Sequence, residues 1–313
     1  MKSVAVLPIL AASVLASSAL IPTDVSSACS SYLNSFNQDT SLESCISPLV
    51  KATAQFGAGA NSTSNPTSSA VSSALSSLCS ATTCSSQTIR TQLANLYSAC
   101  TAELTSSANK DVLRTYDVLY SIVPLQQAMC SKNSNGDYCV VAGSNSSSSS
   151  GTNDAASTAT GESFSSISEY LYSDASSPSS VARRDNSQAT ISIVPNTTTF
   201  AENNILFLFL SPNLSSSELC TSCTRSVITA YTDFESNVPY APGLQSSTLM
   251  SGQTALYKGI ISTCGSSFMS GGAQAAGAIS SGETSGAPPS IAVSAKAVSA
   301  VFGAAALAFF AML

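Results

Sequence analysis

Ten cysteines fall along the chain in an uneven split. Seven of them (Cys29, Cys45, Cys79, Cys84, Cys100, Cys130 and Cys139) precede a serine-rich stretch from Gly143 to Ser187, and three (Cys220, Cys223 and Cys264) follow it. Both counts are odd. If all ten pair, at least one bridge must cross the stretch, so the flanking segments form one covalent unit even if the chain between them is cut. Disulfides at this density belong to an oxidising compartment, because cytosolic thiols are kept reduced.

The N-terminus has the layout of a route to that compartment. Lys2 precedes an apolar run from Val4 to about Leu15, and small residues then offer cleavage after Ala19, with Ser17 at −3, or after Ala28, with Ser26 at −3. The run is too short to span a bilayer, as expected of a secretory signal peptide over residues 1–19. Four Asn-X-Ser/Thr sequons, at Asn61, Asn145, Asn196 and Asn213, agree with passage along the secretory route.

Charge and composition exclude several function classes. The chain holds 11 Lys+Arg against 17 Asp+Glu. Removal of the segments bearing Lys2 and Lys296 leaves nine cations against the same 17 acids, a net charge of −8. Without a basic cluster there is no means of neutralising phosphates, so nucleic acid and anionic membrane surfaces are poor partners. Histidine is absent, which removes Ser-His-Asp and Cys-His sites and every imidazole metal site together. Tryptophan is absent too, so any aromatic platform for a sugar would fall to the ten tyrosines.

Gly143–Ser187 is too poor in apolar residues to bury the surface that ordering would require, and predicts a flexible, O-glycosylated insertion over 143–187. A second Gly/Ser/Ala stretch at 269–285 reads as a stalk. Two folded segments remain, 29–142 and 188–268, enough for one sizeable core or two small ones. Both carry helical periodicity. Cys29, Tyr32, Leu33 and Phe36 share a face; so do Ile89, Leu93, Leu96, Tyr97, Cys100 and Leu104. Val112, Tyr116, Leu119, Tyr120 and Val123 repeat the spacing before Pro124, which kinks or ends that helix. Beyond the insertion, Cys223, Val227, Tyr231 and Phe234 form one stripe, and Leu256, Ile260 and Cys264 another.

Thr199 with Glu202, and Ser215 with Glu218, fit the capping box that satisfies free amides at a helix start. "NILFLFLSP" suits a buried strand or a buried helix, and the first of these caps favours helix. "PYAPG", Pro239 to Gly243, predicts a turn. The expected fold is all-α: a disulfide-stapled helical ectodomain in two halves separated by the serine-rich insertion.

Two motifs invite chemistry. "CTSC", Cys220 to Cys223, has redox spacing, but a catalytic pair needs a depressed thiol pKa and a βαβ setting. Arg225 would help, Glu218 would oppose, and no βαβ pattern surrounds it, so structural bridges are expected. No second C-x-x-C completes a four-cysteine zinc site. Asp233 and Glu235 are the nearest thing to a carboxylate pair for glycan hydrolysis, but two residues apart on a helix point in different directions. No catalytic, cofactor-binding or metal-ligating residue is assigned.

The C-terminus supplies the last constraint. A small triplet, Ser285-Gly286-Ala287, is followed by the spacer "PPSIAVSAK" and the apolar 17-residue tail "AVSAVFGAAALAFFAML". These are the three parts of a glycosylphosphatidylinositol (GPI) attachment signal, with residues 286–313 as the removed propeptide. Ser285 is the preferred attachment residue, and Ser280 and Ser281 are alternatives. In the exposed insertion, the dibasic pair Arg183-Arg184 is a candidate processing site.

The segments "CSSYLNSF…LESCISPLVKAT", "LYSACTAEL", "DVLRTYDVLYSIVPLQQAMCSK…GDYC" and "LCTSCTRSVITAYTDFESNVPYAPGL…GQTALYKGIISTCGSSF" together resemble a family of uncharacterised fungal secreted proteins. These carry a cysteine-rich domain of unknown function and, often, an anchor signal. The likeness covers both folded segments but not the serine-rich insertion. It implies no activity, and no catalytic residue carries over. The cysteine spacing does not match the haem-binding eight-cysteine domains of fungal surfaces.

The expected function is that of a non-enzymatic cell-surface and cell-wall glycoprotein, structural or recognitive, joined to the membrane by its lipid and facing wall glycans. One alternative is a binding module for an apolar or glycan ligand, which needs a concave pocket. The other is a glycan-modifying enzyme using Asp233 and Glu235.

Overall fold

The computed structural model describes residues 21–22, 24–56, 67–142 and 195–269. The expected signal peptide, Asn61, Asn145, the 143–187 insertion with Arg183 and Arg184, Ser280, Ser281, Ser285 and the 286–313 tail lie outside the described residues. So does the 269–285 stalk beyond Met269.

Among the described residues the regular elements are helices, and an isolated bridge pairs Lys132 with Tyr138. The fold is all-α, as expected. The α-helices run α1 Ser27–Phe36, α2 Glu43–Thr53, α3 Ser68–Ser80, α4 Ser86–Ala99, α5 Thr101–Leu104, α6 Lys110–Cys130, α7 Cys139–Ala142, α8 Thr197–Glu202, α9 Ser216–Leu219, α10 Ser222–Asn237 and α11 Gln253–Cys264.

Helix α6 is the axis of the molecule. It starts where the Asn109 side chain accepts hydrogen bonds from the Asp111 and Val112 amides, at 3.0 and 3.3 Å. Fourteen of its 21 residues are buried, so it is apolar nearly all round and must be enclosed rather than laid on a surface. Helices α3, α4 and α10 enclose it, and α10 makes the most extensive contact. Pro124 does not end the helix, which continues to Cys130. An interior proline costs about 3 kcal/mol. Burying Leu125 and Met129 beyond it returns about 1.5–3 kcal/mol each, which offsets that cost.

Packing of α10 on α6 makes one core of the segments on either side of the insertion. Tyr120 of α6 meets Phe234 of α10 edge-on, with ring centroids 5.0 Å apart, and donates its hydroxyl hydrogen to the Val238 carbonyl at 2.9 Å. Buried apolar residues from both segments belong to a single continuous cluster.

All ten cysteines are paired: Cys29–Cys100, Cys45–Cys84, Cys79–Cys130, Cys139–Cys223 and Cys220–Cys264. Cys139–Cys223 is the bridge that crosses the insertion, as the odd counts require. The C-x-x-C cysteines do not close on each other; Cys220 ties α9 to α11, while Cys223 ties α10 to α7.

Three local expectations are corrected. "NILFLFLSP" is neither α-helix nor strand: Ile205–Phe207 form one 3-10 turn flanked by left-handed backbone at Asn204, Leu208 and Phe209. Ile205, Leu206 and Phe207 are successive and all at most 2 % exposed, so no one-faced element could bury them together. Left-handed geometry costs about 1–2 kcal/mol per residue, within what that burial returns. Tyr231 stabilises the coil by donating to the Leu206 carbonyl at 2.6 Å.

The cap of α8 is Asn196, not Thr199: its side chain accepts from the Thr198 and Thr199 amides. The Ser215–Glu218 capping box is formed as expected. Finally, the stripe from Ile89 to Leu104 is interrupted at Cys100, which leaves helical geometry between α4 and α5 while held to Cys29. Thr101 satisfies a carbonyl freed there by donating to Tyr97 O at 2.6 Å.

Candidate functional site

A concave surface of about 520 Å³ opens between α1 and α4, within the size range of small-ligand sites. Helical spacing builds its apolar wall. Tyr32 and Phe36, one turn apart on α1, stack with ring centroids 5.9 Å apart and planes 19° from parallel. Both rings stay half-buried. Facing them, α4 contributes Gln92, Asn95 and Ser98, while Ser35 and Asp39 complete the rim.

The polar groups are held in place from below. Tyr32 Oη lies 3.0 Å from the Gln92 carbonyl oxygen and 3.1 Å from its Oε1. Gln92 Nε2 donates to Asp39 Oδ2 at 2.5 Å and to Ser41 Oγ at 3.1 Å. Asp39 Oδ1 accepts from the Ser41 amide at 2.7 Å. That amide is the main reason the Asp39 carboxyl sits below its ordinary pKa; slight burial opposes it, and the Ser41 and Gln92 side chains assist. Burial, and then the Asp39 charge, push the Tyr32 hydroxyl well above its ordinary value. At neutral pH the cleft therefore holds one ionised carboxylate and a neutral phenol. Its lining contains no cation and no second acid.

A second polar cluster is centred on a buried acid. Asp117 on α6 is 0 % exposed and accepts five hydrogen bonds. Tyr240 Oη (2.5 Å) and Ser247 Oγ (2.8 Å) donate to its Oδ1. The Thr248 amide (2.6 Å), Thr248 Oγ1 (2.7 Å) and the Leu249 amide (3.1 Å) donate to its Oδ2. Burial pushes this carboxyl up, and the bonds from Tyr240, Thr248 and Ser247 pull against that rise. Its partners belong to the loop that links α10 to α11. It anchors that loop to α6.

The residues singled out in the sequence lie apart from the cleft. Asp233 is exposed on α10, and Glu235, half-buried, accepts from Gln253 Nε2 at 3.0 Å. The two therefore do not converge on one bond. Asn213 is exposed in the loop before α9. Asn196 is half-buried, but its cap uses Oδ1 and leaves Nδ2, the atom that would carry a sugar, outside the bond. The cleft itself was not assigned from sequence. Tyr32 and Phe36 read there as core, and the one available sign was the polar run Gln92, Asn95 and Ser98 at helical spacing beside the apolar stripe of α4.

Five disulfides mark a chain that matures in an oxidising, extracytoplasmic setting. Among the described residues no helix is long and apolar enough to cross a membrane. No curated protein and no solved structure matches the chain. Residues 17–174, half of the sequence, match the model of a family described as a domain of unknown function, DUF7729. They cover α1 to α7, and with them the whole cleft, so this is a cysteine-rich helical protein of the DUF7729 family.

Proposed function

We propose that the chain is a non-enzymatic glycoprotein of the fungal cell surface, attached to the outer leaflet by a GPI lipid at Ser285 and displaying its helical body toward the wall for a structural or recognition role. The observation that carries this reading is the pairing of all ten cysteines in a chain whose two ends have the form of removable export and anchor signals. Cysteines locked in bridges are not nucleophiles, and the chain has no histidine to activate a hydroxyl. Acyl chains on the lipid would supply the membrane affinity.

The test is release. Phosphoinositide-specific phospholipase C applied to intact cells expressing the full chain should liberate the protein, and the C-terminal peptide of the liberated form should end at Ser285. Retention on the cells, or recovery of peptides containing Phe309 and Phe310 from the mature form, would overturn the anchor.

Signal cleavage after Ala19, rather than after Ala28, is favoured by what the intervening residues do. Ile21 and Val25 pack against the core, Ser26 caps α1 by accepting from the Cys29 amide, and the Ser26 amide donates to the buried Glu103 at 2.6 Å. Cleavage after Ala28 would remove all of these. N-terminal sequencing of the mature protein should begin at Leu20; a start at Cys29 would refute this placement.

A further inference from the structure

The cleft between α1 and α4 has a composition that selects among ligands. Its lining lacks Lys and Arg, and the nearest fixed charge is the Asp39 carboxylate, so phosphates, nucleotides and acidic peptides are repelled. Ala99 is its single aliphatic residue, so beyond the two rings an acyl chain would find little to pack against. What remains are groups that suit a neutral polyol. Asp39 accepts from the Ser41 amide and Gln92 Nε2, with the Ser41 hydroxyl beside it, and its exposed carboxylate keeps acceptor capacity for a ligand hydroxyl.

Asn95 and Ser98, exposed and three residues apart on one face of α4, add an amide and a hydroxyl that can both donate and accept. A simple cation would engage the carboxylate and the rings, but would leave the donors of Asn95 and Ser98 unmatched. The half-buried Tyr32 and Phe36 rings supply the flat apolar surface against which the C–H face of a pyranose lies.

We propose that this cleft binds a short neutral oligosaccharide, with its sugar faces on Tyr32 and Phe36 and its hydroxyls on Asp39, Asn95 and Ser98. The site deepens the recognition role proposed above, and rests on that reading for its extracellular setting alone. The supporting network is preorganised: Gln92 fixes both the ring that stacks and the carboxylate that accepts, so little side-chain entropy remains to be lost on binding.

The experiment uses the purified, secreted full chain, titrated calorimetrically with three soluble hexasaccharides: β-1,3-linked glucose, β-1,4-linked N-acetylglucosamine and α-1,6-linked mannose. At least one should bind, with a Kd on the order of 0.1–1 mM, and its affinity should not change between 50 and 500 mM salt, because a neutral ligand is not screened. Asn95→Ala should weaken that binding about tenfold, the equivalent of one lost hydrogen bond. Asn95→Arg, which fills the groove, should abolish it. Both positions are exposed, so both variants should melt with the wild type.

Failure of all three sugars to bind overturns the proposal, as does binding that survives Asn95→Arg. Preferential uptake of a diamine such as 1,6-diaminohexane, weakening with salt, would show a cation site instead and overturn it equally. These outcomes separate from the anchor test: a lipase-released protein that binds no sugar keeps the surface reading and loses this one, and a sugar-binding protein that resists the lipase does the reverse.

Discussion

Replacing Asp117 with Ala should destabilise the protein by about 4 kcal/mol, because it removes the shared acceptor of five donors at once. The hydroxyls of Tyr240, Ser247 and Thr248 can turn toward other acceptors, but the Thr248 amide is fixed by the backbone and would lose its partner, and the Leu249 amide would keep only its 3.3 Å bond to Ser247 Oγ. Asp117→Asn should cost less, about 1–2 kcal/mol. Its carbonyl can take the Oδ2 position and keep both amides, and Tyr240 can rotate to accept from the new amide group. Ser247 cannot easily do the same, since its Oγ already accepts from the Met250 amide at 2.8 Å. Urea denaturation of the two variants and the wild type tests the order; equal losses, or a loss below about 1 kcal/mol for Asp117→Ala, would show that the loop does not depend on this carboxylate.

The same comparison has a pH signature. Burial places the folded pKa of Asp117 above its unfolded value, so the native state holds the proton more tightly. Its contribution is then fully present below the unfolded pKa of about 3.9 and is lost as pH rises through the folded value. The stability gap between the wild type and Asp117→Asn should therefore be wider at low pH and should narrow toward neutrality. Asp39 and Glu103, whose carboxyls lie below their ordinary values, push the opposite way. They are common to both proteins and cancel in the difference.

Asp117 also shows where sequence reasoning stops. The apolar stripes of α1, α4, α6, α10 and α11 are periodic, so helix type and core face were legible for each. Asp117 lies on α6 between the stripe residues Tyr116 and Leu119, and a lone acid among buried neighbours is the sign that it needs internal donors. Those donors come from residues 240 to 249, more than 120 positions away, and no local pattern announces them. "NILFLFLSP" failed for a related reason: its consecutive apolar residues carry no period, and what fixes the chain there is Tyr231 on another helix. Cysteine parity, by contrast, is a counting constraint independent of geometry, and it required a bridge across the insertion before any contact was known. The cleft falls between these cases. Its stacked rings follow from i,i+4 spacing on α1, but the Gln92–Asp39 bond that makes them a site joins two segments 53 residues apart.

That crossing bridge leads to the second large effect. Cys139–Cys223 spans 84 residues, the longest separation of the five, so its loss should release the most unfolded-chain entropy, about 4.5 kcal/mol on the loop-closure relation. The double replacement Cys139→Ser with Cys223→Ser should lower stability by that order. Cys45–Cys84, which closes the shortest loop at 39 residues, should cost about 4 kcal/mol on the same relation. The difference between the two is small because the relation is logarithmic in loop length.

A sharper readout comes from opening the chain with a protease site inserted between residues 143 and 194. Under denaturing, non-reducing conditions the opened wild type should migrate as one species and separate into two only on reduction, because Cys139–Cys223 alone joins residues before the cut to residues after it. The opened double variant should fall into two without reductant. Before denaturation, however, it should elute as a single particle, because Tyr120 on Phe234 and Asp117 on Tyr240 hold α6 to α10 and its following loop without any covalent help. Separation of the wild type without reductant would mean the pairing differs from Cys139–Cys223, and dissociation of the opened double variant under native conditions would mean that bridge, rather than the shared core, is what makes the two segments one body.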